Sequence, residues 1–245
     1  MNSNILADWQ RVGRPDLQGF LLLHPNRPDG VEDLLIQCAP NRTDYLIKPL
    51  DKEPSQFEYI DGGSQGLVYR CGELAIKAFN NQSYNPKSIQ RATNEANLRA
   101  NVALEAAIDS LSVNTGDGGV RLQGVTYTSL RHYGAFIPST DSDPAISPYW
   151  VMNYEPSSVK YGMMPPAIRR RYENNQMPIS GMIQDALTNI GADASEIQLG
   201  EAIHTAKPIV RYDSPSRRNL LEFLRISDPY EQLDFTVVLH DVRAA

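Results

Sequence analysis

The sequence predicts an α+β protein in two lobes. Three observations carry that expectation: a strand-rich first half, one long helical stretch in its middle, and a change to helical character after residue 154. Strand signals fall at residues 17–23, 33–39, 45–48, 67–70 and 74–79, separated by Gly, Pro, Asn and Asp. Residues 87–110, rich in Ala, Leu, Glu and Arg, carry Ala96, Leu98, Val102, Leu104 and Ile108 at spacings compatible with a helix packed on one side. A turn at 116–119 leads to strand signals at 120–130, 133–137 and 149–154, with a polar loop at 138–148. Residues 165–172 and 179–205 then read as helices, the second broken at Gly191. Two short strands, 220–226 and 235–239, close the chain. The expected lobes are 56–153, an antiparallel sheet with one helix, and 154–245, shorter and mainly helical. Residues 1–55 form an extension expected to pack on the first lobe as added strands, with a partner surface as the alternative.

The 245 residues include 41% hydrophobic ones, enough for one sizeable core or two small lobes. The net charge of −6 lacks the basic excess of a nucleic-acid binder, so no nucleic-acid partner is expected. The one basic cluster, Arg169-Arg170-Arg171, reads as a solvated helix face. Cys38 and Cys71 have no metal-type spacing and read as free buried thiols, and the four histidines add no ligand pair. The N-terminus has no apolar run of signal-peptide length, and nothing approaches the ~20 apolar residues of a membrane span. These features point to a cytoplasmic protein without a membrane partner.

Chemistry concentrates in six places. Residues 60–69, Ile-Asp-Gly-Gly-Ser-Gln-Gly-Leu-Val-Tyr, can form a glycine-rich hairpin whose backbone amides approach phosphate oxygens; a plain turn through Gly62, Gly63 and Gly66 is the alternative. Lys77 stands inside the apolar strand Leu-Ala-Ile-Lys-Ala-Phe. A lysine there ends in water or meets a carboxylate and a phosphate. Glu95 follows on the helix, 95 − 77 = 18 residues later.

These segments resemble a protein kinase, whose Gly-rich loop ends in Val and is followed by an Ala-Ile-Lys strand and a helix with a Glu that pairs with the Lys. Here the matching residues are Gly63, Gly66 and Val68, then Ala75, Ile76 and Lys77, then Glu95. The family's first glycine falls on Asp61. Tyr149-Trp-Val-Met-Asn-Tyr-Glu-Pro looks like the kinase hinge strand, with Met152 behind the adenine and the backbone of Asn153–Glu155 along its edge. A buried strand running into a turn is the other reading of that stretch. Ile209-Val-Arg-Tyr-Asp-Ser-Pro-Ser-Arg-Arg-Asn looks like the catalytic loop, after a helix end containing His204. Asp213 and Asn219 are 219 − 213 = 6 apart where the family has five, and Arg211 and Tyr212 replace His and Arg. Phe235-Thr-Val-Val-Leu-His-Asp resembles the strand leading to the metal-binding Asp, with Val242 and Arg243 replacing Phe and Gly.

The resemblance covers about residue 57 to the end of the sequence. It implies ATP and Mg2+ as cofactors, with Lys77 on the phosphates, Glu95 holding it, Asp213 as the base, and Asn219 and Asp241 as metal ligands. It implies transfer of the γ-phosphate to a protein hydroxyl, Ser or Thr. The sequence stops four residues after Asp241, without an activation segment. A pseudokinase acting as a partner-binding scaffold and a small-molecule kinase are the alternatives.

Overall fold

The computed structural model describes residues 5–38, 57–63, 66–79, 87–112, 119–142, 146–155, 159–160, 166–192, 209–212 and 235–240. Two compact units divide the chain. One comprises Ile5–Arg99 and Arg131–Tyr154, the other Ala100–Leu130 and Glu155–Ala245.

The first unit holds a seven-stranded antiparallel sheet. Its strands are β1 (Gln10–Arg14), β2 (Gly19–Leu23), β3 (Glu58–Gly63), β4 (Gly66–Cys71), β5 (Leu74–Phe79), β8 (His132–Pro138) and β9 (Tyr149–Asn153), in spatial order β1-β2-β8-β9-β5-β4-β3. β2 is buried along its whole length, which suits its continuous Phe-Leu-Leu-Leu run. A 3-10 turn at Pro15–Leu17 precedes it, so the strand begins later than the expected residue 17.

Helix α1 (Val31–Cys38) occupies residues expected to form a strand. Its buried residues Val31, Leu34, Leu35 and Cys38 follow the i, i+3, i+4, i+7 pattern of one helix face. Glu32 and Asp33 in the first turn favour the helix N-terminus. α1 packs on β2, β8 and β9 and closes a core with Leu21, Leu23, Ile76, Ala78, Phe136, Tyr149 and Val151. The contact is close at Gly134, where a Cβ would stand 2.8 Å from Leu35 Cδ1 and 3.1 Å from Val31 Cγ1.

Helix α2 (Lys87–Ser112) begins where the sequence predicts and runs two residues further. Leu98, Val102, Leu104 and Ile108 are buried, and so are the polar Asn101 and Glu105. Burial therefore extends beyond the single side expected from the apolar spacing.

In the second unit, strands β6 (Val120–Leu122) and β7 (Val125–Ser129) form a hairpin. Gln123 and Gly124, at φ 49° and 73°, supply its two-residue turn with both residues left-handed. The single strand expected over 120–130 is thus two. The five-stranded sheet of this unit runs β10 (Val159–Lys160), β11 (Ile209–Tyr212), β12 (Phe235–Leu239), β7, β6, with β12 parallel to β7 and every other pair antiparallel.

Helix α3 (Pro166–Asn189) is continuous where two helices were expected. Ile168, Tyr172, Asn175, Ile179, Ile183, Ala186 and Leu187 are buried on one unbroken stripe. Pro178 is exposed off that stripe. An interior proline costs about 3 kcal/mol, and packing on both sides of it offsets that cost. The helix stops at Gly191 (φ 75°), where Ala192 N–H donates to Leu187 O and Gly191 N–H to Thr188 O. That pair of bonds is a Schellman cap. Arg171 donates to Gln123 O at 2.9 Å and Asn175 Nδ2 to Leu122 O at 3.1 Å, tying α3 to the hairpin turn. Within the basic cluster, Arg170 is exposed as expected, and Arg171 makes this structural bond.

The expected features at 45–48, 116–118, 193–205 and 220–226 lie outside the described residues. Cys38 and Cys71 are free thiols, Cys38 buried and Cys71 partly exposed. Among the described residues, no helix is long and apolar enough to cross a membrane.

Burial pushes the Tyr69 and Tyr127 hydroxyls from an ordinary 10.0 up to about 12. Asn175 and Arg171 pull Tyr127 the other way by smaller amounts. The folded state thus holds protons that the unfolded state releases first. Through these two hydroxyls, stability is expected to fall as pH rises from about 10 to about 12. Denaturant unfolding followed across that range, with tyrosinate absorbance as a second readout, checks this.

Candidate functional site

β5 runs hydrogen-bonded between β4 and β9, and its register aligns the candidate residues. Lys77 lies opposite Val68 on β4 and Trp150 on β9; Ala75 lies opposite Met152. Directly opposed residues share a face, and alternate residues share it too. Val68, Ala75, Lys77, Trp150 and Met152 therefore occupy one face, opposite the one carrying the Ile76 and Ala78 core. The strand resembling Ala-Ile-Lys, the end of the glycine hairpin and the residue expected behind adenine are brought together.

Lys77 is only 6% exposed. Its Nζ lies 5.0 Å from the Phe79 ring centroid and 5.8 Å from that of Trp150. Aromatic faces attract a desolvated cation. Trp150 is itself held edge-on by Phe79 at 4.6 Å and His132 at 5.6 Å. Its indole Nε1 is buried and has no hydrogen-bond partner. Sequence reading missed Trp150, Phe79 and His132 as neighbours of Lys77. The signal was an aromatic residue in the strand that pairs with the lysine strand, legible only once the pairing of β5 with β9 is known.

β3 and β4 form the glycine-rich hairpin. Gly63 pairs with Gly66, leaving Ser64 and Gln65, outside the described residues, as the two-residue connection. Gly62 and Gly63 end β3, and a register shift between Tyr59 and Asp61 places Asp61 opposite Val68. A Cβ on Gly66 would run into the carbonyl oxygen of Ala78 on β5. Gly66 thus has a packing reason to be glycine, whatever the hairpin binds.

The hinge-like segment is pinned by its own chain. Asn153 N–H donates to Arg131 O at 2.9 Å, and Asn153 Oδ1 accepts from Arg131 N–H at 2.6 Å. Tyr154 N–H donates to Glu73 O at 3.0 Å. Two of the three backbone amides in Asn153–Glu155 are committed to these bonds. Asn153→Ala removes the Oδ1 that accepts from Arg131 N–H and is expected to cost about 1 kcal/mol, lowering Tm by about 2–4 °C in a thermal melt. Glu95 is half-buried on α2, and its carboxylate accepts from Arg99 at 3.3 Å one turn on.

Asp213, Asn219 and Asp241 lie outside the described residues; the strands that lead into two of them do not. β11 and β12 run antiparallel, with Tyr212 opposite Phe235 and Ile209 opposite Val238. The Tyr212 end of β11 and the Leu239 end of β12 are separated by four residues, about 13 Å of strand. Among the described residues, no group of three or more His, Cys, Asp or Glu side chains could hold a metal ion.

No protein-family model, curated protein or solved structure matches this chain.

Proposed function

We propose that this protein is an ATP-dependent phosphotransferase of the protein kinase type, acting on a protein Ser or Thr hydroxyl. The observation that carries the reading is the buried Lys77 sharing a sheet face with Val68, Ala75 and Met152, next to a hairpin of three glycines. In its favour are apolar side chains of the kind that lie against a base and a cation in a low-dielectric setting where phosphate charge is strongly attracted. In this reading Gly62, Gly63 and Gly66 present backbone to the phosphates, and Lys77 binds them. Val68, Ala75 and Met152 line the base, with Asn153–Glu155 along its edge. Asn219 and Asp241 are the magnesium ligands, and bound magnesium would neutralise charge between the phosphates. Asp213 would accept the proton of the acceptor hydroxyl. Glu95 would need to turn from Arg99 to hold Lys77.

A second reading is a nucleotide-binding scaffold without transfer: Asp213 and Asn219 stand one residue further apart than the family spacing, and Tyr212 stands where the family has Arg. A thermal-shift titration tests what the two readings share. Ligand at a hundredfold excess over its Kd stabilises the fold by about 2.7 kcal/mol. Wild-type protein is expected to melt higher with ATP and magnesium than without. No shift from a cooperatively melting sample would contradict nucleotide binding. Incorporation of phosphate into protein, scored by mass spectrometry, then separates the kinase from the scaffold.

A further inference from the structure

We propose that the outer edge of β3 is a docking site for a protein partner, which adds an extended, basic segment to the sheet as a further strand. Among the described residues, β3 ends the seven-stranded sheet on one side and β1 ends it on the other. An edge strand offers backbone N–H and C=O groups to any extended chain that reaches it, and natural edges are guarded, often by cationic side chains. β1, Gln-Arg-Val-Gly-Arg, is guarded in that way by Arg11 and Arg14. β3, Glu-Tyr-Ile-Asp-Gly-Gly, has no cation. Its one protective device is the bulge between Tyr59 and Asp61, which bends the edge without charging it. Tyr59 and Ile60 are 59% and 38% exposed there, and Met177 is the only other exposed large hydrophobic residue among the described residues. The two edges of one sheet thus differ in kind: one repels an incoming strand, and the other presents apolar surface to it.

The charge of β3 selects the occupant. Its two charged residues are both acidic. Glu58 lies opposite Arg70 and Asp61 opposite Val68, so both positions fall on one face. Glu58 makes a 3.7 Å ion pair with Arg70, yet its side chain stays 67% exposed and open to a second cation. A second copy of β3 would set acidic residues against acidic residues, and like charges on paired strands are destabilising. A partner segment with Lys or Arg beside these positions, alternating with β-branched or aromatic residues, matches both features. Main-chain bonds would hold it, and its side chains would give specificity. The proposal does not depend on what the adjoining face binds.

The test is an amide NMR titration of the full chain with a blocked peptide of about eight alternating Lys and Val residues, a strand's length, and with its Glu–Val counterpart. The Lys–Val peptide is expected to shift the β3 amides from Glu58 to Gly63 and slow their hydrogen exchange. It is expected to bind at least about 10-fold more tightly than the Glu–Val peptide. The double variant Tyr59→Lys, Ile60→Lys gives β3 the cations that guard other edges, at two exposed positions. It is expected to weaken Lys–Val binding at least about 10-fold. Lys–Val binding that leaves the β3 amides unmoved, equal binding of the two peptides, or binding of neither overturns the proposal. Concentration-dependent broadening of the β3 amides without peptide also overturns it, and assigns the edge to a second copy. The wild-type titration decides the matter even if the double variant folds poorly.

Discussion

Replacing Lys77 by methionine is expected to reduce phosphate transfer at least about 100-fold and to remove the ATP-dependent thermal shift. A positioned cation on transferring phosphates acts where charge develops, and the loss of one such donor typically costs 100- to 1000-fold in rate. Methionine keeps a side chain of similar length without the charge that stands 5.0 Å from the Phe79 ring centroid and 5.8 Å from that of Trp150. Tm of the unliganded protein is measured alongside, because removing one member of a buried interaction can itself destabilise the fold. A lysine whose purpose is structural would lower Tm when replaced and leave the ATP response intact. Rate, Tm and ATP shift measured on one preparation separate the two.

Gly66→Ala carries the second large effect, through packing. The added methyl meets the Ala78 carbonyl oxygen at the β4–β5 pairing, where Gly66 opposes Phe79. Backbone cannot yield as a flexible side chain would. β4 must lift from β5 or the pair must shift, at about 1–3 kcal/mol. The expected result is a fall in denaturant midpoint with an unchanged slope, together with weaker ATP binding, because the displaced strand carries Val68 and the hairpin. A Gly66→Ala protein as stable as wild type would show that the strands are not packed as described.

Much of the local structure was legible because the decisive signals were local. β5 spans 74–79 and β12 spans 235–239, as their apolar runs predict, and α2 begins at Lys87 as its composition predicts. α1 was misread because the run Leu34-Leu35-Ile36 satisfies a strand as well as a helix. Adding Val31 and Cys38 to the window reveals the helical period. The break expected between 172 and 179 does not occur: α3 runs through Pro178, and the buried stripe from Ile168 to Leu187 keeps its phase across it. The 120–130 strand hid a turn because Gln123 takes a left-handed conformation that its identity does not advertise.

The candidate site divides the same way. Val68, Ala75, Lys77 and Met152 could be proposed singly from sequence order, but their common face depends on the register of three strands. Trp150 was invisible as a neighbour of Lys77 for the same reason, since the two are 73 residues apart (150 − 77 = 73) and meet only through β5–β9 pairing. The bonds that pin Asn153 and Tyr154 come from Arg131 and Glu73, again long-range partners that no local pattern marks.

The most direct measurement is covalent labelling with an acyl-phosphate of ATP, which acylates an amine lying against the nucleotide's phosphates, followed by peptide mass spectrometry of the full chain. The account predicts that Lys77 is the lysine labelled and that excess ATP with magnesium suppresses the labelling. Modification of other lysines with Lys77 untouched, or Lys77 labelling that ATP does not compete, would contradict it.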